Sequence, residues 1–237
     1  MALLKKKEIK LPHSLAGFDD NNDIISNLTE FINTQQLYRS AIREVQTKLE
    51  ILADEFNVHY DYNPIHHIET RLKSPESILE KLQRKQFELS IESVRHKLTD
   101  VAGIRVICNY IEDVYLIEDL LTKQDDIELL RRSDYIKKPK ENGYRSLHLI
   151  VTVPVFLSER TEIVPVEVQV RTIAMDFWAS LEHKLKYKSV EDASYDNEVY
   201  DELKNCADII ADIDERMHKL YQKIYHMRDN ESNQQLS

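Results

Sequence analysis

Only three glycines, Gly17, Gly103 and Gly143, occur in the 237-residue chain. Neither a P-loop nor a dinucleotide-binding fingerprint can be written with so few, because both cradle phosphate on closely spaced glycines. A chain this poor in glycine keeps the residue where backbone geometry requires it, which makes Gly103 and Gly143 informative. Cysteine is as scarce: Cys108 and Cys206 form no CxxC spacing, so neither a zinc ribbon nor a disulfide framework is expected, and a reducing cytoplasmic setting follows. No apolar run reaches the ~20 residues that span a bilayer. The opening MALLKKKEIKLP has lysines without an apolar stretch behind them, so it does not read as a secretory signal. No internal repeat or low-complexity block is visible.

What is present suits a globular protein of one large or two small domains, with 42% hydrophobic and 31% charged residues. The net charge of −10 lacks the basic footprint of a general nucleic-acid coat protein. Basic residues nevertheless cluster, at Arg71, Lys73, Lys81, Arg84 and Lys85, and again at Arg131, Arg132, Lys137, Lys138, Lys140 and Arg145. The stretch from Ser189 to Arg216 is strongly acidic. Local basic pockets on an acidic protein suit small polyphosphates better than long polyanions.

Residues 1–22 lack a clear period. From Ile24 the apolar residues Leu28, Phe31, Tyr38, Ile42, Val45, Leu49, Leu52 and Phe56 step by four and three, which predicts a helix of about nine turns. Ser74-Pro75-Glu76 reads as an N-cap, a proline at the first helical position and an acid in the first turn, opening a helix to about Phe87. A second amphipathic piece runs from Ser90 to about Thr99. DVAGIRVICNY holds a strand after Gly103, IEDVYLIEDLLTK a helix, DIELLRR a short strand and SDYIKKPKENGY a loop. YRSLHLIVTV and EIVPVEVQVR are strands, and IAMDFWASLEHKLKY returns to helical period. Val199, Leu203, Cys206, Ile210, Ile213, Met217, Leu220 and Ile224 form a second long seam. The two long helices could pack on each other or on another subunit, and an oligomer is expected. Leu49 and Ile213 mark the two seams. A polar tail follows Asp229.

Four constellations carry chemistry. Arg71 and Lys73 precede the Ser74-capped helix, on which Ser77 and Lys81 share a face, so a triphosphate could bind at that N-terminus; a solvated basic helix looks the same. Asp100 stands just ahead of a strand bearing Arg105, a spacing that could hold Mg²⁺ and a nucleotide. Lys140, Gly143, Tyr144 and His148 combine a basic loop, a bend, an aromatic surface and a histidine. In VPVEVQVR the valines 164, 166, 168 and 170 alternate with Pro165, Glu167, Gln169 and Arg171, giving one apolar and one polar face. That polar face is either solvated surface or the floor of a site, where Glu167 would be a metal ligand or a base.

Taken in order, TRLKSPESILEKLQRK, TDVAGIRVIC, DYIKKPKENGYRSLHL and VEVQVRTIAMDFWASLEHKLKYK resemble the synthetase domain of RelA/SpoT-type enzymes. The chain is similar to the small alarmone synthetases of the RelP/RelQ group, over about residues 70–187. The resemblance implies an α+β fold: a nucleotidyltransferase-like mixed β-sheet flanked by helices, with long N- and C-terminal helices, in a single domain over 23–228. It implies Mg²⁺-dependent transfer of the β,γ-pyrophosphate of ATP to the 3′-hydroxyl of GDP or GTP, giving the alarmones of the stringent response.

Carried over by residue, Arg71 and Arg105 would sandwich adenine, and Lys73, Ser77, Lys81 and Arg84 would hold the ATP phosphates. Asp100 and Glu167 would be the catalytic carboxylates and metal ligands, with Gln169 beside the acceptor. Tyr144 would stack on guanine, with Lys140 and His148 near the acceptor phosphates. Where related chains place an arginine just before Asp-Tyr-Ile this chain has Ser133, which leaves the neighbouring Arg132 as the candidate for the acceptor phosphate. The resemblance also implies a homo-oligomer, with a tetramer favoured, and regulation by nucleotide product, metal ion or RNA. No His-Asp dipeptide of the kind found in the hydrolase domain of bifunctional members occurs, and the chain has no room for their regulatory domains, so synthesis without hydrolysis is expected. Three rivals remain: a toxin-like pyrophosphokinase acting on adenine nucleotides or tRNA 3′ ends, an ordinary nucleotidyltransferase, and a non-catalytic regulator. The second lacks its Gly-Ser and paired Asp-x-Asp cluster.

Overall fold

The structure, a computed structural model, describes residues 21–189 and 197–235. The unpatterned segment at 1–20, with Gly17, and the side chains of Ile24 and Leu28 lie outside the described residues. The element order is α1 (Asn21–His59), β1 (Ile65–Leu72), α2 (Pro75–Arg84), α3 (Ile91–Lys97), β2 (Ala102–Cys108), α4 (Ile111–Thr122), β3 (Glu128–Asp134), β4 (Leu147–Phe156), β5 (Thr161–Thr172), α5 (Ile173–Ser189) and α6 (Asn197–Gln235). Among the described residues no helix is long and apolar enough to cross a membrane.

Five strands form one mixed sheet in the order β1-β2-β5-β4-β3. Only β2 and β5 run parallel; the remaining neighbours are antiparallel. The alternation of β5 decides the architecture. Val164, Val166, Val168 and Val170 are buried, together with Leu147, Leu149 and Val151 of β4 and Ala102, Ile104 and Val106 of β2. Each such valine contributes at most about 1.5–3 kcal/mol by leaving water. Helix α1 covers this apolar face: Tyr38, Ile42, Val45 and Leu49 are buried in the same core as the valines, and α4 adds Val114, Ile117 and Leu121. The seam from Tyr38 to Leu49 is therefore consumed within the subunit, and Leu49 is not available to a partner.

Local chemistry explains most boundaries. Ser74 caps α2, its hydroxyl accepting from the Ser77 N–H, with Pro75 at the first turn. The helix stops at Arg84, short of the expected Phe87, where Gln86 takes φ 56°. Ser90 caps α3 in the same way. Strand β1 is absent from the pattern-based expectation. It is an edge strand whose sequence, IHHIETRL, has little apolar alternation, and its pairing with β2 defines it. Helix α6 splits its apolar seam. Ala207 is buried against Trp178 and Ala179, with Leu203, Cys206 and Ile210 packed beside them, while Ile213, Met217, Leu220 and Ile224 are exposed. The helix continues to Gln235, through most of the segment expected as a polar tail.

Candidate active site

The other face of the sheet is polar and open, and strand register sets who stands beside whom. One row across the sheet reads Arg71, Gly103, Glu167 and Ile150; the next reads Glu69, Arg105, Gln169 and His148. A cleft of about 370 Å³, counted together with the solvent at its mouth, lies over these rows, lined by Arg71, Lys73, Asp100, Gly103, Arg105, Glu167 and Gln169 among others. Residues from four distant segments thus meet in one place. Gly103 does not have a positive φ, and a Cβ there would lie an ordinary 3.4 Å from the Arg71 carbonyl oxygen. Its contribution is the missing side chain, which leaves the floor low between Arg71 and Glu167.

On the donor side, Asp100 closes the turn into β2. The Lys73 N–H donates to the Val101 carbonyl at 2.9 Å, which ties the end of β1 beside it. Lys73 Nζ and Lys81 Nζ both reach Asp100 Oδ2, at 2.5 and 2.6 Å. Burial alone would raise the Asp100 pKa, but these two ammonium groups outweigh it and hold the carboxyl below its usual value. Asp100 Oδ1 is buried without a hydrogen-bond partner, an uncommon state for a carboxylate oxygen. Arg105 Nη1 lies 3.5 Å from Glu69 Oε2. Ser77 Oγ accepts from Ser74 Oγ at 3.1 Å in the first turn of α2. Arg84 is exposed at the end of α2, outside the residues that line the cleft.

On the acceptor side the polar residues of β5 are linked in a chain. Gln169 Nε2 donates to Glu167 Oε2 at 2.9 Å, and Arg171 donates to Gln169 Oε1. Arg171, 3% exposed, also pairs with Asp176 of α5 at 3.3 Å and donates to the Tyr144 hydroxyl oxygen at 3.3 Å. Tyr144 OH lies 2.8 Å from His148 Nε2, and His148 Nδ1 lies 3.3 Å from Glu167 Oε1. The Glu167 carboxylate can only accept, so Nδ1–H faces it, while the direction of the Tyr144–Nε2 bond follows the protonation of the imidazole. Burial would raise the Glu167 pKa, and the nearby Asp100 adds to that. His148 and Gln169 more than compensate, and Glu167 is held as an anion below its usual value. Lys140 Nζ sits 4.7 Å from the ring centroids of both Tyr135 and Tyr144. Tyr135 also meets the His148 ring edge-on at 5.2 Å, so it completes an aromatic box that the sequence reading did not include.

The arginines ahead of this box separate by register. Arg132 opposes Leu149, on the apolar face. Its guanidinium is engaged by Glu118 at 2.5 and 2.9 Å and by Asp134 at 3.2 Å, so the structure does not bring it to the cleft. Ser133 opposes His148 on the polar face. Arg131, which the sequence reading passed over, opposes Ile150 on that same face and is exposed. Only the register of an irregular edge strand distinguishes these two arginines, and the sequence does not print it.

Could this arrangement hold Mg²⁺? Among the described residues no group of three or more His, Cys, Asp or Glu side chains could hold a metal by itself. Two carboxylates, one with an unpartnered oxygen, face a cleft rich in cations. That donor set fits a Mg²⁺ ion completed by phosphate oxygens and water, the coordination Mg²⁺ favours.

Fold and cleft define an α+β protein whose sheet carries cationic side chains on either side of two carboxylates. Residues 70–192 match the family described as a region found in RelA/SpoT proteins, and the chain belongs to that family. It is 42% identical over 196 residues to the GTP pyrophosphokinase YwaC of Bacillus subtilis, an alignment covering 83% of this chain and 92% of that one. Small alarmone synthetase 2 of B. subtilis superposes with a TM-score of 0.72 at 44% identity, covering 81% of this chain and 97% of the other. Small alarmone synthetase 1 of B. subtilis, solved with its product pppGpp, gives 0.73 at 33% identity, covering 79% and 94%.

Proposed function

We propose that the protein transfers the β,γ-pyrophosphate of ATP to the 3′-hydroxyl of GDP or GTP, producing ppGpp or pppGpp. One observation carries this reading: Asp100, in the turn before β2, and Glu167 of β5 line a single cleft with Arg71, Lys73 and Arg105, and the Lys140–Tyr144–His148 group stands beside Gln169 at its other edge. Two polyphosphates repel each other, so a transferase between them needs cations on both sides and anionic ligands for a metal in the middle.

In this reading Arg71 and Arg105 flank adenine, while Lys73, Lys81, Ser77 and Arg84 follow the phosphates along α2. Asp100 and Glu167 would hold Mg²⁺, which when bound supplies charge neutralisation to the transferring phosphates. Lys140, Tyr144 and His148 receive the guanine nucleotide, and Arg131, rather than Arg132, supplies the further cation for its phosphates. Glu167, oriented by Gln169 and His148, accepts the hydrogen of the 3′-hydroxyl. The 3′-oxygen then bonds to the β-phosphorus, the bond from that phosphorus to the α,β-bridging oxygen breaks, and AMP leaves with that oxygen.

The same reading includes synthesis without hydrolysis, a cytoplasmic setting, and a homo-oligomer, with a tetramer favoured, assembled through the exposed stripe Ile213, Met217, Leu220 and Ile224 of α6. Regulation by nucleotide product, metal ion or RNA belongs with it. The test is incubation of purified protein and Mg²⁺ with ATP labelled in the β,γ-phosphates and, separately, GDP, GTP, ATP or tRNA as acceptor. Label should move to the guanine nucleotides and AMP should accumulate in equal amount, and purified product should not be degraded. Label moving chiefly to ATP or tRNA would replace the reading by the toxin-like one.

A further inference from the structure

The loop that carries the acceptor-side groups is fastened to the C-terminal helix as well as to the sheet. Gly143 takes φ +87°, and its backbone comes so close to α6 that a Cβ there would lie 2.5 Å from Ala207 Cβ. Arg145 closes the contact. Its Nη1 donates to the Gly143 carbonyl at 3.0 Å and to the Ala207 carbonyl of α6 at 3.3 Å, and its Nη2 donates to Asp208 Oδ1 at 2.9 Å. Two further bonds dock the same stretch of α6. Trp178 Nε1 of α5 donates to the Leu203 carbonyl at 2.9 Å, and the Thr172 hydroxyl at the end of β5 donates to the buried Asp214 at 2.6 Å.

The loop passes this fastening on to the site. The Gly143 N–H donates to the Lys140 carbonyl at 2.8 Å and the Lys140 N–H to the Tyr144 carbonyl at 3.2 Å, and Tyr144 OH contacts His148. On the donor side, the Lys73 and Lys81 ammonium groups pair with Asp100 and the Lys73 N–H donates to the Val101 carbonyl, contacts made without α6. Arg145 itself points away from the cleft, toward α6.

We propose that Arg145 is a positioning residue for the acceptor: by clamping the Lys140–Arg145 loop to α6 it makes the docking of α6 set the affinity for the guanine nucleotide while leaving the ATP side unaffected. The inference rests on the proposed function and deepens it, because it assigns acceptor affinity to a helix whose outer face is free for a second copy of the chain.

The experiment measures binding of GDP and of a non-hydrolysable ATP analogue, each alone, by calorimetry on the full chain. Variants are Arg145→Ala, Arg145→Lys and Asp208→Asn. Trp178 is the only tryptophan, so its emission reports α6 docking directly. Arg145→Ala is expected to weaken GDP binding about tenfold, the size of a lost charged hydrogen bond, with the ATP analogue unchanged and the Trp178 emission shifted. Arg145→Lys should recover part of the loss. Asp208→Asn, which keeps both carbonyl contacts and serves if Arg145→Ala does not fold, should weaken GDP binding in the same direction by less. Unchanged GDP affinity in a folded Arg145→Ala or Asp208→Asn protein overturns the inference alone, as does an equal loss for both nucleotides. Wild-type protein that binds no guanine nucleotide overturns the proposed function, and the inference with it.

Discussion

Arg131 and Arg132 are adjacent in sequence and stand on opposite faces of the sheet. Arg132 is neutralised by Glu118 and Asp134, whereas Arg131 is exposed on the face that carries Glu167. Arg131→Ala should therefore raise the acceptor KM about three- to tenfold with the ATP KM unchanged, while Arg132→Ala leaves the acceptor KM near wild type. Steady-state kinetics with each substrate varied in turn checks both. The carboxylates at the centre of the site were legible in sequence because their local patterns are clean: Glu167 in an unbroken alternation, Asp100 just ahead of the strand that follows Gly103. Their proximity was legible only through the family resemblance, since it depends on the parallel pairing of β2 with β5. Tyr135 was not legible, because its edge-on contact with His148 is set by how the loop after β3 folds back. Gly103 illustrates a milder miss. Its scarcity value pointed to strained backbone, but its use is the side chain it lacks; among the described glycines it is Gly143 that needs a positive φ.

Among the elements, the long helices were read correctly as helices and incompletely as surfaces. A step of four and three marks an apolar seam but not what covers it. For α1 the cover is the protein's own sheet, whereas for α6 part of the seam is left outside. Replacing Ile213, 51% exposed, with aspartate should lower the molar mass in light scattering without altering the circular dichroism spectrum; the same replacement at Leu49, 0% exposed, should unfold the domain. An unchanged mass for Ile213→Asp would remove this face from the assembly. Strand β1 escaped prediction because an edge strand with one polar face open and one half covered need not alternate.

Helix α6 also carries a titration. Burial holds the Asp214 carboxyl above its usual 3.8, against the opposing pull of Thr172 and His218. The folded state then retains the proton that the unfolded chain has lost, so this group's contribution to stability is fully present below the unfolded pKa and disappears as pH rises through the raised folded value. Asp214→Asn keeps an acceptor for the Thr172 hydroxyl and removes that dependence. Melting temperature recorded from acid to neutral pH should fall less steeply for Asp214→Asn than for the wild type.

At the scale of the whole molecule, a net charge of −10 coexists with a cleft whose walls are arginine and lysine. In the proposed function, the cationic pocket suits small polyphosphates better than long polyanions. The sheet reconciles the two demands: its apolar face stores the core, and its polar face carries residues that line the cleft. The central claim is that Glu167 acts on the reacting hydroxyl rather than on donor binding. Glu167→Gln preserves size and the hydrogen bond from Gln169 while removing the charge. The decisive measurement pairs its rate of pyrophosphate transfer with its affinity for a non-hydrolysable ATP analogue. A fall in rate of about 10²–10⁴-fold, with analogue affinity within about threefold of wild type, is the predicted result. A rate near wild type, or a loss explained entirely by weaker ATP-analogue binding, would contradict the account.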